Sequence, residues 1–139
     1  MKPLTYRLRI PGPTPVPERV RRALAQPAVN HRGPEFRAIL RETEELAKGI
    51  FQTQSDVLFF AGSGTAGMEA AVVNVLAPGE RVLVLVNGQF GERFRAIAEQ
   101  VGAQVDSLEV EWGQAIDPEA VAGQVKKHDY RAVLVTHNE

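Results

Sequence analysis

Apolar positions along the chain follow two rhythms. From Glu35 to Ile50 the residues Phe36, Ile39, Leu40, Ala47 and Ile50 recur at helical spacing with charges between them, which predicts an amphipathic helix. Glu92 to Val101 repeats the pattern, with Phe94, Ile97 and Val101 on one face and Gly102 as the stop. The other rhythm is a short apolar run: VLFF at 57–60, RVLVLV at 81–86, Val105 to Val110, and RAVLVT at 131–136. These runs are too short for helices and rich in β-branched residues, so each predicts a buried strand. Glu18 to Gln26 predicts a short helix with Val20 and Leu24 inward, ended by Pro27. A small-residue helix follows Thr65 and stops at Ala77-Pro78-Gly79-Glu80. Asp117 as cap and Pro118 at the first position open another helix, reaching about His128.

Strands alternating with helices imply an α/β fold of three layers: a mainly parallel sheet with helices on both faces. Residues 1–51 then form an amino-terminal arm and helices, and 52–139 the first half of a larger layered domain. The arm carries Pro3, Pro11, Pro13, Pro15 and Pro17, which exclude helix and central strand. A strand followed at once by His137-Asn138-Glu139 suggests the amino-terminal piece of a longer protein. Its last strand would be an open edge, so self-association is expected.

Composition narrows the classes. The 139 residues are 44% hydrophobic and 24% charged, with a formal net charge of −1, an ordinary globular balance with no basic surface for nucleic acid. No stretch has the length of a membrane span and no signal-peptide core is present, so a cytoplasmic protein is expected. Cysteine is absent, which removes thiol nucleophiles and thiolate metal sites from these residues. The three histidines lack metal-ligand spacing, so no metal site is expected. The four lysines are Lys2, Lys48, Lys126 and Lys127.

In a parallel sheet, ligands gather at the carboxyl ends of the strands, where Gly62–Thr65, Asn87–Gly91 and His137–Glu139 all fall. Gly62-Ser63-Gly64-Thr65 lies between an expected strand and a helix. Free N–H groups of a first helical turn, with the positive end of the helix dipole, make an anion site, and phosphate is the expected guest. Ser63 and Thr65 add hydroxyl donors. Residues 62–67 match G-x-G-x-x-G, but the next strand ends on Leu85-Val86-Asn87 without the acid that holds a dinucleotide ribose. Phe90, between Gly88 and Gly91, is expected in an exposed loop, placed to cover a flat ring whose phosphate sits in the first turn; the other reading is a core Phe.

The segments PGPTPVPERV, NHRGPEF, AGSGTAGMEAAVVN, GERVLVLVNGQFGERF and LVTHNE together resemble the amino-terminal part of class V aminotransferases. These are fold-type I pyridoxal phosphate enzymes, and the chain is most similar to the alanine–glyoxylate, serine–glyoxylate and serine–pyruvate group. The resemblance covers nearly the whole chain in order. It implies that Ser63, Gly64 and Thr65 grip the phosphate of pyridoxal 5′-phosphate and that Phe90 stacks on its pyridine ring. It places Pro11 and Gly12 by the substrate entrance, and His31 and Arg32 near the site at a subunit boundary; a solvated loop is the alternative for the latter pair. The full-length protein would be a homodimer moving an amino group from alanine or serine to glyoxylate or pyruvate.

The family's Schiff-base lysine, its pyridine-nitrogen aspartate and its substrate-carboxylate arginine all lie beyond residue 139. No catalytic residue is therefore expected within this chain, and alone it should not transaminate. The alternatives are another pyridoxal phosphate reaction, a lyase or desulfurase-like step, or a non-catalytic truncated piece.

Overall fold

The computed structural model describes residues 8–10 and 12–139. The chain divides into two compact units, one ending at Ala61 and the next beginning at Gly62.

The first unit holds two helices, α1 (Glu18–Leu24) and α2 (Pro34–Phe51). α1 has no buried residue and is braced by Glu18, which pairs with Arg21 and, at 3.1 Å, with Arg22. Such exposed pairs at helical spacing each add only about 0.2–0.5 kcal/mol. α2 begins with Pro34 at its first position, where a missing N–H costs nothing. It ends at Gln52, whose left-handed φ of 51° turns the next N–H, of Thr53, back to the Lys48 carbonyl at 3.1 Å. Of the apolar face expected on α2, Ala47 is buried, while Ile39 and Ile50 are exposed.

The expected strand at 57–60 is not a strand. Leu58 is 87% exposed, Phe59 and Phe60 are also exposed, and the segment joins no ladder among the described residues. A β-branched and aromatic run reports a preference for extended backbone and burial; the strand itself exists only when another strand pairs with it.

The second unit is a layered α/β body. Its elements are α3 (Gly64–Val75), β1 (Arg81–Val86), α4 (Gln89–Gln100), β2 (Gln104–Glu109), α5 (Pro118–Val125) and β3 (Ala132–Leu134). The sheet order is β2-β1-β3 and both pairings are parallel, Arg81 opposite Gln104 and Val82 opposite Ala132. β1, in the centre, is buried from Val82 to Val86, as expected for a strand covered on both faces. Val82, Val84 and Val86 meet Val72 of α3, Leu76 just after it, and Ile97 and Ala98 of α4, and this cluster is the core.

On the opposite face, Asp106 stands beside Leu83 in the register. Asp106 Oδ2 accepts from the Tyr130 hydroxyl at 2.7 Å and from Arg81 Nη1 at 3.0 Å, and Gln124 of α5 reaches Tyr130. Helices therefore serve both faces of the sheet. α5 starts as expected, with the Asp117 side chain accepting from Glu119 N–H. β3 is shorter than expected, three residues rather than six, and Val133 within it and Val135 just after it are exposed. It has a partner on one side only, so its ends are held by little.

Candidate functional site

All three β strands are parallel, so the carboxyl ends of β1 and β3 and the N-termini of α3 and α4 belong to one side of the second unit. At α3, Ser63 sits in extended conformation as the N-cap, and its Oγ accepts from Ala66 N–H at 3.2 Å. That satisfies one amide of the first turn. The N–H groups of Gly64 and Thr65 precede any intrahelical acceptor. The turn contains no acidic residue, so the positive end of the α3 dipole is uncompensated by its own sequence. A Cβ added at Gly64 would meet nothing within 4 Å, so the space beside the turn is open.

α4 is arranged the other way. Its expected start was Glu92, but it begins at Gln89, which puts Phe90 in the first helical turn rather than in a loop. The cause is a cap 49 positions away. The Glu139 carboxylate accepts from Phe90 N–H at 3.0 Å and from Gly91 N–H at 2.7 Å. The glycines flanking Phe90 serve close approach, not loop exposure. A Cβ on Gly91 would lie 2.9 Å from the Leu85 carbonyl and the Val86 Cα, and one on Gly88 would lie 2.6 Å from the Glu139 carboxyl.

Phe90 is half-buried. Arg93, on the same face of α4, places its guanidinium carbon 5.5 Å from the Phe90 ring centroid. Its Nη1 donates to Thr65 Oγ1 at 2.8 Å, across to α3. Thus Thr65 and Phe90, 25 positions apart in sequence, are joined through one side chain, with Ser63 and Gly64 adjoining Thr65. Two buried polar atoms without a partner also lie at this edge: Asn87 Oδ1 after β1 and Thr136 Oγ1 after β3.

The remaining expected site residues belong to the first unit. His31 and Arg32 are exposed in the turn before α2. There Asn30 Oδ1 accepts from Arg32 N–H at 3.0 Å and the Asn30 carbonyl from Gly33 N–H at 2.8 Å. Gly12 is exposed, and Pro11 lies outside the described residues. Among the described residues there is no His, Asp or Glu cluster able to hold a metal ion, and no helix long and apolar enough to cross a membrane.

Sequence reasoning missed Arg93 and the capping role of Glu139. Arg93 carried a local signal, its position three residues after Phe90 on a helix face. Glu139 carried none, because its partners are distant in sequence.

Comparison with known proteins gives a consistent family. The model of the aminotransferase class-V family matches residues 12–139. The soluble hydrogenase 42 kDa subunit of Anabaena cylindrica is 42% identical over 135 residues, 95% of this chain and 35% of that protein. The L-aspartate–glyoxylate aminotransferase of Paracoccus denitrificans is 38% identical over 134 residues, 94% of this chain and 34% of that protein. The crystal structure of ureidoglycine–glyoxylate aminotransferase from Bacillus subtilis superposes with a TM-score of 0.80 at 37% identity, covering 95% of this chain and 35% of that one. The chain therefore spans only 34–35% of the length of these relatives.

Proposed function

The chain belongs to the class-V aminotransferase family, and from that premise we propose that it forms the phosphate- and ring-holding part of a pyridoxal 5′-phosphate-dependent aminotransferase. The protein carrying it moves the amino group of a small amino acid, alanine or serine, to a 2-oxo acid, glyoxylate or pyruvate. The observation that carries this reading is the meeting of an open helix N-terminus with an aromatic ring. The α3 first turn offers amides and two hydroxyls to an anion, and Phe90 lies beside it, tied to Thr65 through Arg93. The orphaned Asn87 Oδ1 and Thr136 Oγ1 fit an edge that receives a polar guest, since buried polar atoms are rarely left unpaired.

When bound, the cofactor supplies an electron sink that eases removal of the α-proton of an amino acid. The residues here bind and orient. Ser63, Gly64 and Thr65 hold the phosphate by N–H and O–H donation, and the Phe90 face fixes the plane of the ring. Pro11, Gly12, His31 and Arg32 serve the substrate side. We read the working protein as a cytoplasmic homodimer; for a second subunit, the exposed apolar residues Leu46, Ile50, Phe51, Leu58, Phe59 and Phe60 offer a surface that needs cover.

Lys48 does not suit the amine role in this chemistry. Lys48 is held by Glu45 at 2.9 Å, and that hydrogen bond and charge raise its pKa, which disfavours a nucleophilic amine.

The test uses the protein expressed from its complete reading frame, titrated with pyridoxal 5′-phosphate and then given glyoxylate with alanine or serine. The expected result is a visible absorption band of lysine-held cofactor and conversion of glyoxylate to glycine as the donor becomes its 2-oxo acid. Absence of the band, or a band with no amino transfer to glyoxylate or pyruvate, overturns the reading.

A further inference from the structure

We propose that Arg93 is a positioning residue of this site, setting both the hydroxyl that meets the phosphate and the ring that meets the pyridine; the inference rests on the reading above. A guanidinium carries only N–H donors. In its 2.8 Å contact with Arg93 Nη1, the Thr65 oxygen therefore receives, and its own O–H proton is left to donate elsewhere. A hydroxyl without such a neighbour would be free to accept or donate. Tied to Arg93, it is committed as a donor at the N-terminus of α3, and a phosphate presents only acceptors there.

The second contact acts on the ring. The Arg93 guanidinium lies over Phe90 at 5.5 Å from the centroid, within cation–π range, and covers one of its two faces. A flat pyridine stacking on Phe90 would take the face that Arg93 leaves, and Phe90 is half-buried rather than enclosed. Arg93 so fixes the spacing between the phosphate donor and the stacking face, which must match the dimensions of one small molecule. Glu92 and Glu109 bind Arg95 and Glu139 binds the α4 amides, while Glu69 lines a pocket with Thr65 between α3 and α4. The positive charge of Arg93 reaches the α3 turn through its bond to Thr65.

A bond between α3 and α4 would also stabilise the fold, so the test must separate binding from stability. In the protein from the complete reading frame, dissociation constants are measured for pyridoxal 5′-phosphate and for pyridoxal, which lacks the phosphate. The proteins are the parent, R93M, T65V and the double variant, with the melting temperature of each cofactor-free form alongside. R93M is expected to weaken pyridoxal 5′-phosphate about tenfold, the effect of losing a charge-assisted hydrogen bond. It should weaken pyridoxal by clearly less, and most of its effect should vanish when T65V is already present.

A penalty equal for both ligands, or undiminished by T65V, overturns the proposal. If R93M does not fold, R93K decides on the same criteria, because a point charge cannot reproduce both contacts of the fork. A parent that binds neither ligand sinks the functional reading and this inference with it. A parent that binds while the Arg93 variants bind equally well sinks this inference alone.

Discussion

Removing the Glu139 carboxylate should loosen the first turn of α4 and leave the rest of the sheet in place. In the parent, that carboxylate takes two amides, at 3.0 and 2.7 Å, at the positive end of a 12-residue helix. Loss of a capping side chain typically costs about 0.5–2 kcal/mol. Loss of a negative charge from a helix N-terminus adds about 0.3–1 kcal/mol at an exposed position. Glu139 is exposed, so solvent screening favours the lower ends. E139A should therefore cost about 1 kcal/mol, and E139Q, which keeps an acceptor oxygen but no charge, less.

The assay is amide hydrogen exchange at Phe90 and Gly91, with denaturant unfolding for the global value. Exchange at those two amides should accelerate by a factor of about 5, while amides of β1 change only with global stability. Gly88 supplies a cross-check. Its φ is 175°, extended backbone open to any residue, so nothing in its own conformation demands glycine. What a Cβ there would meet is the Glu139 side chain, 2.6 Å away. G88A should destabilise the parent by displacing the cap and add almost nothing to E139A. Unchanged exchange at Phe90 and Gly91 in E139A, or a G88A cost that survives in E139A, would refute the reasoning.

Leu83→Ala empties a fully buried position on the central strand and should cost about 2–5 kcal/mol in denaturant unfolding, whereas exposed Leu24→Ala should stay within about 0.5 kcal/mol. Two glycines in helices should respond oppositely to alanine. G91A forces a methyl to 2.9 Å from the β1 backbone and should destabilise by about 1–3 kcal/mol, while G123A, with open space in α5, should stabilise by about 0.5–1 kcal/mol. The pH dependence of unfolding should carry Asp106. The Tyr130 hydroxyl, and after it Arg81, hold its pKa below the usual carboxylate range against the opposing effect of burial. Its contribution is then fully present above the unfolded-chain value of about 3.9 and lost as pH falls through the lower folded value. D106N should flatten the stability profile in that acid window, and an unchanged slope would remove Asp106 from the account.

The legible parts of the fold are those decided within a short window. β1 is bounded by residues 81 and 86 in both sequence and structure, because five buried apolar residues need no distant information to read as a covered strand. The Asp117-Pro118 start of α5 is likewise local. Failures came where a distant partner decides. Residues 57–60 have the right side chains for a strand but no ladder among the described residues, and β3 pairs only at Ala132–Leu134 although β1 runs on to Val86 beside it. Phe90 was expected in a loop because glycines on either side suggest freedom. The structure uses those glycines for contact, one against Glu139 and one against the β1 backbone. Ser63 as the cap of α3 was within reach of local reasoning, whereas the bridge from Arg93 to Thr65 spans 28 positions and was not.

The two helix N-termini of the second unit differ in what they offer an anion. Both helices point their positive ends to the same side of a parallel sheet, so dipole and free amides alone cannot distinguish them. The side chains do. α4 has a carboxylate from its own chain on its amides, with Glu92 also in its first turn. α3 has a neutral serine cap, no acid in its first turn, open space at Gly64, and the Arg93 guanidinium on Thr65. An incoming anion at α4 would have to displace Glu139 and face its repulsion, whereas at α3 it completes a set of donors. A carboxylate written into the α3 turn, as in A66D, should therefore abolish phosphate-dependent cofactor binding by supplying the missing anion internally, and full retention of pyridoxal 5′-phosphate affinity in A66D would show that the turn is not the phosphate site.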